Sequence, residues 1–141
     1  MRETRQAKVS PNCKQFHPIS QMRKIETQMN SAIRKRNNFS NGNTSVQTVS
    51  YLDSKGVYNE ESKVFLHGNH IATYLHTTKE LVLFDGGWQS NTTKSRLNAL
   101  CYEFATGFSV FQKNFNWFVS DFQSKIVDFS NGITVNYNGC F

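Results

Sequence analysis

Residues 86–96, GGWQSNTTKSR, gather the residue types that bind anions. A strand ending at Asp85 is followed by two adjacent glycines and then by a helix opening with Thr92, Thr93, Lys94, Ser95 and Arg96. Cations in a first helical turn oppose the helix dipole, at a cost of a few tenths to about 1 kcal/mol each. A bound anion would remove that conflict, because free N–H groups, threonine hydroxyls and two cations can converge on a phosphate or carboxylate. The spacing is not that of a P-loop, since no GxxxxGK[ST] is present. The same residues also have a plain structural use: Lys94 and Arg96 can be exposed, or Arg96 can lie against Trp88 or pair with Asp85.

Other chemistry finds less support. His67 and His70 can sit side by side at a hairpin end, but a zinc site needs three or four ligands and nothing nearby completes one. No GxSxG, HExxH or Cys–His arrangement points to a nucleophile, and Glu60, Glu61 and Glu80 do not form a carboxylate pair. The expectation is a protein that is not an enzyme, with no metal and no cofactor. Cys13, Cys101 and Cys140 are odd in number and contain no CxxC, so they read as reduced thiols, with Cys101 a core residue.

The charge is lopsided. The 141-residue chain carries a net charge of +6. Residues 1–36 hold nine basic and two acidic side chains, and the other 105 hold seven basic and eight acidic ones. The basic groups include Arg23, Lys24, Arg34, Lys35 and Arg36. Such asymmetry suggests an anionic partner, although a solubilising segment has the same composition. Phe65, Tyr74 and Trp88 are candidate aromatic contacts to bases, with core packing as the alternative for the first two.

These residues need elements to position them. With 38% hydrophobic and 18% charged residues the chain suits a folded protein, and it has no apolar run long enough for a membrane span. Residues 1–18 read as a flexible basic arm and residues 19–141 as one α+β domain. A helix is expected over 20–36, capped by Ser20, with Met22, Ile25, Met29, Ala32 and Ile33 inward. Residues 37–43 read as a loop. Strands follow at 44–51, 63–67, 70–76 and 81–84. A Gly68-Asn69 turn pairs His67 with His70 and Leu66 with Ile71, and a turn over 77–80 pairs Leu75 with Val82. Val64, Leu66, Ile71, Leu75, Val82 and Phe84 then share one face, and Phe65, Ala72, Tyr74, Leu81 and Leu83 the other, so the sheet should be covered in part on both sides. A second helix spans 92–105, capped by Asn91, Thr92 or Thr93 and ended by Gly107. The phenylalanines between 108 and 122 have helical spacing, but the β-formers among them favour strands at 109–113 and 116–120. A hairpin of 126–129 and 133–137 around Asn131-Gly132 closes the chain.

At Leu66-His67-Gly68-Asn69-His70-Ile71-Ala72 and at GGWQSNTTKSRLNAL over 86–100, the chain resembles a group of small tailed-bacteriophage proteins. These carry LHGNxIA followed by GGWxTxTTKxRLNAL, with Ser90 here in place of Thr. The resemblance brings no activity with it. It implies a phage protein made in the host bacterial cytoplasm.

The combined expectation is an antiparallel β-sheet with two packed α-helices and a flexible basic N-terminal arm. It would bind DNA or RNA without catalysis during infection, through Arg23, Lys24, Arg34, Lys35 and Arg36, with a second contact at Thr92, Thr93, Lys94 and Arg96. The alternatives are an inhibitor or modulator that binds an acidic surface on a host polymerase, nuclease or defence protein, or a virion or assembly component.

Overall fold

The computed structural model describes residues 22–136. Residues 1–18, read as a basic arm, and Ser20, read as a cap, lie outside them, as do Cys13 and Cys140. The first helix, α1, is Lys24–Lys35. It starts four residues later than its periodicity implied, behind Arg23, whose N–H donates to Glu26 Oε1 (3.1 Å). It ends where Arg36 turns left-handed (φ 60°) and Asn37 N–H donates back to Ala32 O (2.9 Å).

Two antiparallel sheets replace the single one expected, within the α+β class that was expected. The large sheet runs β1 (Phe39–Asn41), β2 (Thr44–Leu52), β3 (Tyr58–Leu66), β4 (Asn69–Leu75), β5 (Glu80–Leu83) and β9 (Ile133–Asn136). The small sheet is β6 (Ser109–Lys113), β7 (Asn116–Ser120) and β8 (Ile126–Asp128). Strands β6 and β7 fall where β-propensity placed them. Residues 37–43 are not simply a loop, because β1 forms within them and pairs Phe39 with Val46. Strands β8 and β9 are not a hairpin: β8 joins β7, and β9 crosses to β5. Their Asn131-Gly132 turn is a bridge between sheets. Asn131 Oδ1 accepts from Asp85 N (2.8 Å), and Gly132 N donates to Leu83 O (2.8 Å).

The β3–β4 turn is His67-Gly68, not Gly68-Asn69. Both residues have positive φ (53° and 79°), the mirror-image turn that fits the twist of the flanking strands. Leu66 therefore opposes Asn69, and Phe65 opposes His70. The register then slips between Val64 and Phe65, which makes Ile71 an extra, bulged residue. The next turn closes over residues 76–79 in place of 77–80, pairing Leu75 with Glu80. Since a one-residue slip exchanges the faces of a strand, Ala72, Leu81 and Leu83 join Val64 and Leu66 in the core. Leu75, Val82 and Phe84 are half-exposed instead.

Both helices lie on this one face. Met29 and Ile33 of α1 and Leu97, Leu100, Cys101 and Phe104 of α2 (Asn91–Phe104) pack with Val46, Val64, Leu81, Leu83 and Val135. The same core continues through Val110, Trp117 and Val119 of the small sheet. Asn98 fixes α2 to β6 by donating to Val110 O (2.9 Å) and accepting from Val110 N (2.8 Å). Among the described residues no helix covers the other face of the large sheet, which carries a half-exposed ring cluster, with His70 4.5 Å from Phe84 and 5.6 Å from Phe65. Burial pushes the Cys101 thiol up to about 12, so it is a packing residue.

Candidate functional site

The second helix is capped by Ser90, one residue before the expected caps. Its Oγ accepts from Thr93 N (3.1 Å) and donates to Thr93 Oγ1 (2.9 Å). Thr93 Oγ1 also donates to Trp88 O (3.1 Å), which pins the Gly-Gly-Trp loop to the helix start. Thr93 is buried and fully engaged within the protein.

Arg96 settles its own electrostatic conflict internally. It is 3% exposed, and Nη1 donates to Glu26 Oε2 at 2.7 Å across the α1–α2 contact. Its Nε donates to Thr44 Oγ1 (3.0 Å) and Nη2 to Asn43 Oδ1 (3.3 Å), while Ser95 Oγ donates to the same Glu26 oxygen (2.6 Å). Arg96 thus neither faces solvent nor pairs with Asp85. It holds two helices and the β1–β2 turn together, and it presents no charge to an external anion. Glu26, absent from the residues singled out in the sequence, is its essential partner.

The remaining cations divide between the ends of α1. Arg23 and Lys24 are exposed at its start and Lys35 near its end, none with a side-chain partner among the described residues. Arg34 pairs with Glu103 and lies over the Phe104 ring (6.0 Å), yet its side chain stays 63% exposed. Arg36 pairs with Glu60 (3.2 Å). Lys94 is half-exposed, with Nζ 3.4 Å from Gln112 Oε1, beside Thr92, which is also half-exposed. The structure therefore does not gather the nine candidate residues into one patch.

The aromatic candidates separate too. Tyr74 packs on Phe104 (4.5 Å) on the core side, and Phe65 is on the opposite face. Trp88 alone projects outward, 73% exposed. It borders a cavity of about 360 Å³ lined by Leu66, His67, Asn69, Ile71, Asp85, Gly86, Ser90 and Thr93. The cavity lies where the β3–β4 turn meets the loop before α2. Gly86 makes that meeting possible: its φ is +69°, and a Cβ there would stand 3.1 Å from both Asn69 Cβ and Ile71 Cγ2. Asp85 braces the loop by accepting from Gly87 N (2.7 Å) and Gln89 Nε2 (3.3 Å).

At the far end of α1, Arg36 Nε points to His76 Nδ1 (3.4 Å), and His76 Nε2 meets Ser62 Oγ (2.8 Å). Burial and then the Arg36 charge hold His76 below the usual 6.5. Burial and, more weakly, Lys63 do the same for His70. The fold thus favours both imidazoles neutral, so their contribution is complete above about pH 6.5 and is lost as pH falls. We expect the urea midpoint to drop from pH 7.5 to pH 5.5, and a His70→Gln/His76→Gln variant to show a flatter dependence. An equal slope in the two proteins rules this out.

Among the described residues, no His, Cys, Asp and Glu side chains cluster as three potential metal ligands, and no helix is long and apolar enough to cross a membrane. The arrangement is that of a small α+β protein with a cavity bordered by an exposed indole and a helix with cations at its ends. The model of the Kyanoviridae Gp96 protein family matches residues 22–136, and the chain belongs to that family of phage proteins. No curated protein and no solved structure matches the chain.

Proposed function

We propose that this phage protein binds DNA or RNA without catalysis, in the host cytoplasm during infection. The observation that carries this reading is the solvent-facing cations at the two ends of α1, where Arg23, Lys24 and Lys35 have no partner among the described residues and Arg34 keeps its charge largely in water. Arg36 and Lys94 would add separate contacts, while Arg96 and Thr93 serve the fold. Neutralising several phosphates releases counterions, with a slope of log K against log salt of about −0.9 per phosphate contact on duplex and −0.7 on single strands. Fluorescence anisotropy with labelled oligonucleotides should therefore show affinity falling about a hundredfold or more between 50 and 200 mM salt. Arg23→Gln/Lys24→Gln/Lys35→Gln should flatten that slope by two to three contacts. Affinity indifferent to both salt and substitution rejects the proposal.

A second reading, a modulator that binds a host protein, draws on the β2–β3 ribbon. Among the described residues, the backbone of strand residues 50–52 and 58–60 pairs across the ribbon, with one further bond from His76 N to Glu60 O, and the Glu60 side chain pairs with Arg36. The tip exposes Tyr51, Leu52, Val57 and Tyr58 to between 46% and 68%. Asp53, Glu60 and Glu61 outnumber Lys55 there, which suits a protein surface better than phosphates. Loss of a nuclease-resistant host partner in Leu52→Ser/Tyr58→Ser, with retention in the α1 triple variant, would favour this second reading.

A further inference from the structure

We propose that the cavity beside Trp88 holds an unpaired nucleobase, so that the protein prefers single strands to duplex. This rests on the nucleic-acid reading and assigns it a specific contact. The cavity combines apolar surface with polar edges. Leu66 and Ile71 are 4% and 1% exposed, while the Trp88 indole is 73% exposed. Asn69, Asp85 and Ser90 supply donors and acceptors around them. A nucleobase has the matching character, with apolar π-faces that stack on an indole and a polar rim.

The loop is set for this before any ligand arrives. Trp88 N donates to Asp85 O (3.1 Å), and Trp88 O accepts from Thr93 Oγ1 (3.1 Å), so both sides of the Trp88 backbone are held. The braced loop holds the indole in water, 73% exposed, beside the cavity.

Charge decides which part of a nucleotide enters. Asp85 is the one acidic residue among those lining the cavity, and it repels phosphate. Each of its oxygens accepts one bond in the protein and keeps acceptor capacity for a ring N–H. The cavity is tied through the interior to the helix end that bears exposed cations. His67, at the cavity lip, donates its N–H to Asn43 O (2.7 Å), and Asn43 leads through Arg96 and Glu26 to the end of α1 that bears Arg23 and Lys24. The base site and the exposed cations thus belong to one hydrogen-bonded framework. A base can reach the cavity only if it is out of a duplex stack.

Trp88 is itself the probe. The other tryptophan, Trp117, is 4% exposed, so quenching by a soluble ligand reports on Trp88. The full-length protein should be titrated with a twelve-nucleotide mixed single strand, with the corresponding duplex, and with adenosine and guanosine monophosphates. The expected result is quenching by the single strand and weaker quenching by the nucleotides. Duplex should be bound less tightly than single strand. Trp88→Ala should lose about tenfold in single-strand affinity, the scale of one base–aromatic stack. Trp88→Phe should retain most of that affinity without the signal. The exposure of Trp88 keeps both variants folded. Salt-sensitive oligonucleotide binding with no quenching and no effect of Trp88→Ala overturns the base site and leaves the nucleic-acid function standing. Quenching by nucleotides without polymer binding overturns the function and keeps the base site. Silence from every ligand overturns both.

Discussion

Replacing Arg96 with Met while Glu26 remains should lower stability by about 3–5 kcal/mol, because it strands a buried carboxylate. Glu26 is 0% exposed, and its Oε2 would keep only the Ser95 hydroxyl. For a domain whose total stability is of the order of 5–15 kcal/mol, that loss approaches unfolding. It corresponds to a fall in Tm of roughly 10–25 °C. The double variant Glu26→Met/Arg96→Met removes both charges together and should recover most of the loss, since an apolar pair of similar volume is often neutral or better. Urea denaturation of the single and double variants is the measurement. A single variant within about 1 kcal/mol of the parent would show that water reaches the Glu26 carboxylate and that the pair does not hold the helices together.

The two tryptophans should respond oppositely to truncation. Trp117 is 4% exposed and meets the Phe129 ring edge-on at 5.5 Å, joining the small sheet to the common core. Trp117→Ala should cost about 3–5 kcal/mol through lost burial and a cavity. Trp88→Ala, at an exposed position, should stay within about 0.5 kcal/mol. The Trp117 indole N–H has no hydrogen-bond partner among the described residues, and burying an unsatisfied donor costs about 1–3 kcal/mol. Trp117→Phe removes that donor along with some packing, so the terms oppose one another and the net cost should be under about 1.5 kcal/mol. Equal destabilisation by Ala and Phe in urea melts would mean that the indole N–H is in fact satisfied.

How far the sequence led depended on how local each signal was. The second helix was legible because Leu97, Leu100, Cys101 and Phe104 recur at helical spacing between a capping cluster and Gly107. Strands β6 and β7 were legible because β-branched and aromatic residues outweighed a misleading phenylalanine period. The β3–β4 hairpin was placed correctly but its register was not. His67 accepts a left-handed backbone beside Gly68, which moves the turn by one residue, and the Ile71 bulge then shifts the strands again. The partner of β9 could not be read, since Ile133 meets Leu83 across fifty residues and only the tertiary structure supplies that neighbour.

The site divided along the same line. Residues 66–72 and 86–100 stood out as strings, but their meeting at Gly86 is a fact of three dimensions. The candidate anion site at the start of α2 dissolved for Arg96 because its partner was sought nearby, at Asp85, and not on α1. A local sign existed. Glu26 lies four residues after Met22, three before Met29 and seven before Ile33, on the inward stripe of its helix, where a carboxylate must find a cation or stay neutral.

The position of β9 has a consequence for how the molecule comes into being. As the chain emerges in order, β5 completes a sheet of five strands whose outer edge, with Leu81 and Leu83, has no neighbour until residues 133–136 arrive. The second helix and the whole small sheet must be made in that interval. An unpaired apolar edge is a template for pairing with another chain, and distant closures are slow because loop entropy must be overcome first. The nascent protein is therefore most vulnerable to aggregation after β5 and before β9, and the last strand to join is the one that seals it.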